Sequence, residues 1–158
     1  MRKVENASMK YVSTMLVVKD LERSLAFYKK YLEQEVTVDF GANVTLSGGF
    51  ALQTFEAWQS FVGGIDIRFK GNDTELYFET DDYDDFIAKT EDWEYAHPPI
   101  EHRWGQRVVR FYDPDGHVIE VGENLATVAK RFADSGMSIA EVASRMGVRE
   151  EYVIAWME

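Results

Sequence analysis

The stretch RVVRFYDPDGHVIEVGE, Arg107 to Glu123, is where the fold becomes readable. Asp113-Pro114-Asp115-Gly116 puts Asp and Pro at the first two positions of a type I turn, with Gly to take the left-handed conformation after it. That is the signature of a hairpin with a three-residue loop. If Asp113 and His117 close the loop, Tyr112 lies opposite Val118, Phe111 opposite Ile119 and Arg110 opposite Glu120. Alternation then places Val109, Phe111, Ile119 and Val121 on one apolar side and Arg110, Tyr112 and Glu120 on the other. A sheet is predicted with helices behind it and something polar in front. Two readings of the Arg110–Glu120 pair stay open. One is a solvated cross-strand salt bridge worth under about 1 kcal/mol, the other a pair of working groups in a pocket.

Reading outward, Lys10 to Val18 is β-branched and apolar and predicts a strand. Asp20 caps a helix whose Leu21, Leu25, Tyr28 and Leu32 form one stripe. Short strands follow at 35–39, 43–47 and 50–55, then a possible helix at 56–61 and a short strand at 65–69. The order then recurs. Glu75 to Thr80 predicts a strand, Asp82 caps a helix, a loop carries His97-Pro98-Pro99, and the hairpin closes the set. Two tandem βαβββ modules result, about 11–55 and 75–123. Superposing them brings Ser13 onto Glu75, Asp20 onto Asp82 and Gln53 onto Glu120.

The last part, 124–158, is a helical extension. Leu125, Val128, Ala129 and Phe132 share one helix face, and Gly136 ends that helix. Ser138 and Glu141 form a capping box for a second helix, Gly147 stops it, and a third begins at Arg149. The segment AEVASRMGV resembles the opening of a helix-turn-helix. Its would-be reading helix is acidic, however, and lacks the side chains that meet bases and phosphates. The extension is therefore expected to cover a sheet edge or a subunit partner.

Composition narrows the function. Lysine and arginine total 17 against 28 acids, a net charge of −11 that repels phosphate backbones and argues against nucleic acid as a partner. No run of about 18 apolar residues exists, so no membrane span is expected. The stretch MRKVENASMK lacks the apolar core of a signal peptide. The absence of cysteine rules out disulfides and thiolate chemistry and fits a cytoplasmic protein.

Taken together, Met15 to Leu32 (MLVVKDLERSLAFYKKYL), the Asp-Pro-Asp-Gly hairpin and Val118 to Glu123 (VIEVGE) resemble the vicinal oxygen chelate superfamily, which includes glyoxalase I, bleomycin- and fosfomycin-resistance proteins and extradiol dioxygenases. The resemblance covers 11–123. It implies an α+β fold in which two tandem βαβββ modules form a cupped mixed β-sheet with helices outside, here as a domain at 1–123 followed by the extension at 124–158. It also implies a ligand site in the cup between the modules. Metal-binding members place ligands on the first and last strands of each module. Here those positions carry Ser13, Gln53, Glu75 and Glu120, and the usual first-strand histidine is missing. Glu120, Glu75 and Gln53 are the candidate metal ligands, a set better suited to Mn²⁺ or Mg²⁺ than to Zn²⁺, Ni²⁺ or Fe²⁺. A register slip of one residue would turn Leu52 inward in place of Gln53.

The resemblance makes Glu120 and Glu75 the candidate catalytic groups. Arg110, Tyr77, Tyr112, Gln53, Ser13, Trp104, Arg107 and His102 are the candidate substrate contacts. The loop from His97 to Arg107 is expected to form a rim, with Trp104 as the alternative plug of the cup. Function then divides between a glyoxalase-type lyase, isomerase or antibiotic-modifying transferase, a metal-free module that sequesters a small molecule, and a scaffold whose tail mediates assembly and whose cup is closed by side chains. Fe(II) dioxygenase chemistry is disfavoured by the missing histidines. A homodimer is expected, because the superfamily commonly pairs modules within or between chains and Val153, Ile154, Trp156 and Met157 need cover, although the tail packing back onto its own cup would serve equally.

Overall fold

The computed structural model describes residues 8–158. The stretch read as lacking a signal-peptide core lies mostly outside the described residues. The chain divides into two compact units, one ending at Arg68 and one spanning Phe69–Glu158.

In the first unit, β1 (Met15–Val18), α1 (Leu21–Leu32), β2 (Val36–Asp39), β3 (Asn43–Leu46) and β4 (Ala51–Thr54) follow one another, and α2 (Phe55–Phe61) comes after them. The strands lie in the order β1-β4-β3-β2, with β1 parallel to β4 and the other pairs antiparallel. Asp20 accepts from the Arg23 amide and so starts α1. The helix buries Ser24, Tyr28 and Leu32 one turn apart, and Tyr28 packs edge-on against Phe50 at 5.4 Å. Leu16, Val18, Val44, Leu46 and Leu52 complete this core. The short strand expected at 65–69 does not form, because that stretch is irregular after the glycine pair Gly63-Gly64. The first strand also begins later than expected, at Met15 rather than Lys10.

The second unit repeats the order with β5 (Glu75–Thr80), α3 (Tyr83–Lys89), β6 (Tyr95–Glu101), β7 (Arg107–Tyr112) and β8 (Val118–Glu123), the strands lying β5-β8-β7-β6. The hairpin has the expected register: Arg110 faces Glu120, Phe111 faces Ile119 and Tyr112 faces Val118. Asp113 fastens its turn, accepting from the amides of Asp115 and His117 and from the His117 ring. Gly116 sits there at φ +90°. The segment expected to be a loop around Pro98-Pro99 is instead the edge strand β6. Proline is tolerated there because an edge strand has amides that need no partner, and the ladder register slips around the two prolines.

Helix α3 and the turn after it cover one face of this second sheet: Phe86 of the helix and Trp93 of the turn pack on Phe111 at 5.7 and 5.0 Å. On the other side lie α4 (Leu125–Asp134), α5 (Ile139–Met146) and α6 (Glu150–Met157). These three share a small core of Val128, Ala129, Val142, Ala143, Met146 and Val153. The Ser138–Glu141 capping box and the left-handed Gly147 cap form as read from the sequence.

A buried carboxylate anchors this tail. Glu123 receives Arg107 at 3.1 Å and Arg131 at 2.9 Å, and Arg131 also donates to the Gly105 carbonyl at 2.8 Å. Burial alone would raise the Glu123 pKa, but the hydrogen bonds from Arg131 and Arg107 outweigh it and hold the group at about 2. Gly105 is required beside this contact. Its φ is +86°, and a Cβ there would lie 2.3 Å from the Phe132 ring.

Two consequences are measurable by urea denaturation. Glu123→Gln leaves two arginines without their counter-charge and should lower stability by about 3 kcal/mol. The folded pKa of Glu123 lies below the ordinary 4.5, so its contribution is present above that pH and lost as pH falls toward 2. Wild-type stability should decline across that window, and the decline should be shallower in the variant.

Candidate functional site

The exposed-side residues of the second sheet form one straight row. Tyr77 pairs with Glu120, Glu120 with Arg110 and Arg110 with His97, strand by strand across β5, β8, β7 and β6. Alternation puts all four side chains on the face away from α3. A cavity of about 470 Å³ opens over this row, within the range of small-molecule pockets. Its sheet side carries Tyr77, Arg110 and Glu120. Around it stand His102, Trp104 and Gln106 and, from the tail, Leu125, Met146, Val148 and Trp156.

Arg110 organises the charges. Its Nε reaches Glu75 at 3.0 Å, its Nη2 reaches Glu120 at 3.2 Å, and its Nη1 lies 3.2 Å from His97 Nε2. The two carboxylates titrate in opposite directions. Burial, followed by the hydrogen bond with Glu75 and that group's charge, raises Glu120 to about 7 against the pull of Arg110. Glu75 is lowered, first by its hydrogen bond with Glu120 and also by Arg110. Glu120 is therefore the proton-holding member of the pair and Glu75 the ionised acceptor. Beside them, burial followed by the charges of Arg110 and His97 lowers the His102 pKa.

The flank is locked in place. Gln106, almost wholly buried, donates to the Tyr77 hydroxyl at 2.8 Å and to the Glu123 carbonyl at 2.9 Å, and accepts from the Trp104 indole at 3.0 Å. Tyr77 in turn donates to Glu79 at 2.9 Å. Gly122 makes room for this network, since a Cβ there would stand 2.7 Å from Gln106 Nε2. His102 stacks flat on Trp104, ring centres 4.1 Å apart.

The cavity gathers six of the ten residues named from the sequence: Glu120, Arg110, Tyr77, Trp104, His102 and, through its bonds to Arg110 and Glu120, Glu75. Four need correction. Arg107 turns to the other face of β7, where it binds Glu123 and Asp84 and stacks over the Tyr83 ring at 4.9 Å. Alternation forces this, because Arg107 and Arg110 are an odd number of residues apart. Tyr112 shares the face of Arg110 but lies toward the turn, beside neighbouring depressions instead. Gln53 is buried in the first unit, its amide engaged by Ala42 and Asn43. Ser13 precedes β1 and donates to the Gly49 carbonyl. Gln53 pairs with Val17 as Glu120 pairs with Tyr77, so Met15, not Ser13, takes the place that Glu75 has.

Two contributors are not readable from the sequence. His97 sits beside prolines that predict a loop, and only the sheet reveals it on a strand. Leu125, Met146, Val148 and Trp156 come from the tail, where sequence shows only a need for apolar cover.

The donor set does not suit a divalent ion. The Arg110 guanidinium already engages both Glu75 and Glu120, so a divalent ion would have to compete with it for the two carboxylates, and the amide of Gln53 is engaged within its own unit. Among the described residues no three His, Asp or Glu side chains gather to hold a metal.

The fold and this row of groups define a glyoxalase-like protein. The glyoxalase-like domain family matches residues 11–126, and the chain belongs to that family. Among solved structures, a protein of unknown function from Agrobacterium tumefaciens strain C58 is 35% identical, with a TM-score of 0.67 over 76% of this chain and 98% of its own. A glyoxalase-related enzyme from Fulvimarina pelagi is 19% identical, with a TM-score of 0.60 over 74% of this chain and 89% of its own. A lactoylglutathione lyase from Agrobacterium tumefaciens is 23% identical, with a TM-score of 0.53 over 75% of this chain and 96% of its own. These last two share the fold. No functionally curated protein matches the chain.

The titration of Glu120 is directly observable. Carbon-detected NMR of labelled glutamate should find one side chain with a midpoint near 7, and Glu75→Gln should move it down toward the ordinary carboxylate value. A Glu120 midpoint that is ordinary in the wild type would mean that burial and Glu75 do not act on it. Calorimetric titration with Mn²⁺ should give no saturable heat for the wild type, whereas Arg110→Met, which frees both carboxylates, should acquire binding. Stoichiometric wild-type binding abolished by Glu120→Gln would instead make these carboxylates metal ligands.

Proposed function

We propose that this protein binds a small organic molecule in the cavity over Glu120 and moves a proton there, as an isomerase or lyase acting on a carbon next to a carbonyl. The observation that carries the reading is a buried carboxyl, raised to about 7, that opens onto a ligand-sized cavity. A general base works best when its pKa lies near the working pH, because it can then both take a proton and return it. In its ionised form Glu120 would accept a proton from the substrate carbon, and as the acid would deliver it to the neighbouring carbon or to the leaving atom. Arg110 has five N–H groups, three of them engaged by Glu75, Glu120 and His97. The remaining two would stabilise the oxygen on which negative charge develops.

A second reading has its own support. The hydrogen-bonding capacity of Gln106 is largely engaged within the protein, and much of the cavity wall is apolar or aromatic. Such a cavity would also suit a protein that sequesters a ligand without transforming it.

Proton NMR in D₂O separates the two, with a series of aryl ketones such as phenylacetone as probes. Catalysed loss of the α-proton signal, reduced by at least about a hundredfold in Glu120→Gln, is the expected result. Saturable binding without exchange would favour sequestration, and exchange that survives the substitution would remove Glu120 from the role.

A further inference from the structure

We infer that the helical tail, α4 to α6, is the selectivity wall of this cavity, with Trp156 its specificity-determining residue. The ligand class it selects is an uncharged molecule carrying a flat aromatic group and one hydrogen-bonding oxygen. This inference rests on the reading that the cavity binds a small molecule.

The family match ends at residue 126, so most of the tail lies beyond the segment that the family shares. Yet Met146, Val148 and Trp156 line the cavity opposite the polar row. They come from three places, the end of α5, the turn after Gly147 and the last turn of α6, and converge only because the tail has its own core.

The wall is also fixed in space. Arg131 ties α4 to Glu123 and to the Gly105 carbonyl, and Phe132 packs against Gly105 more closely than any side chain there would permit. Trp104 packs against the tail core, and its indole N–H is held by Gln106, so its ring plane is set before a ligand arrives. The stacked His102 and Trp104 offer a flat surface to the cavity, and half-buried Trp156 adds apolar aromatic area to its lining. A planar ring suits that space better than a flexible chain, because it loses little conformational freedom on binding.

Charge selects against anions. The Arg110 cation is met by both Glu75 and Glu120. The other basic group lining the cavity is His102, whose cationic form burial and the charge of Arg110 disfavour. A carboxylate or phosphate entering it would meet a guanidinium already paired with ionised Glu75 and shared with Glu120. A ketone or hydroxyl oxygen needs only the spare N–H groups of Arg110 or the proton of Glu120.

Calorimetry or competition binding on the full chain tests this with acetone, phenylacetone and phenylacetate as probes, on wild type, Trp156→Ala and Trp156→Phe. Phenylacetone should bind the wild type at least about tenfold more tightly than acetone, and than phenylacetate. Trp156→Ala should erase most of the preference for phenylacetone over acetone, and Trp156→Phe should retain much of it. Matching circular dichroism and urea midpoints would show that the tail stays folded. If the alanine variant unfolds, the phenylalanine variant decides, and it must shift the ratio measurably. Wild-type binding of phenylacetone with the ratio unchanged in both variants would overturn the wall while leaving the binding reading intact. Equal or tighter binding of phenylacetate would overturn the uncharged class. No binding of any probe to the wild type would overturn both.

Discussion

The second unit is organised around one buried carboxylate. Removing Glu123 from water costs several kcal/mol unless the charge is matched, and here two guanidinium groups and a backbone amide match it. Arg107 carries the link onward to Asp84 on α3, and Arg131 carries it to α4. A single residue at the end of β8 thus holds the helix behind the sheet and the tail in front of it. Because α4 is held there, α5 and α6 come to stand over the face that carries Glu120. The cavity exists because the tail covers that face without filling it.

The same economy of charge appears in the row across the sheet. Arg110 faces two glutamates that cannot both ionise cheaply at such close quarters. The outcome is an asymmetric pair, with the more buried partner keeping its proton up to about neutral pH. A solvated salt bridge would leave both groups ionised and would have no cavity above it. The guanidinium also engages both carboxylates that a divalent ion would need. The row accordingly sets a titratable carboxyl beside a cation.

How much of this is readable without the structure depends on the range of the interaction. The hairpin register, the capping box, the glycine stops and the facing of Arg110 and Glu120 are local, set by turn geometry and by alternation, and all are legible. The repeated order of elements is legible for the same reason. Strand β6 is not, because Pro98-Pro99 signals a loop to any local reading and only the edge position in the sheet makes a strand there acceptable. Arg107 looks like a site residue because it closes a polar loop, whereas its face of the strand sends it to Glu123. Counting back from the helix caps matches Ser13 to Glu75, a count that the strand ladder shifts by two residues.

Sequence alone determined the family, the two βαβββ modules and the identity of the carboxylate–arginine pair, since each follows from contacts a few residues apart or from a turn that fixes its own register. Tertiary structure decided what those groups can do. The pKa of Glu120 depends on burial by segments far away in the chain, and the cavity depends on Met146, Val148 and Trp156 arriving from a tail whose apolar residues, in sequence, declare only that something must cover them. Burial and convergence are properties of the packed chain, and no local pattern encodes them.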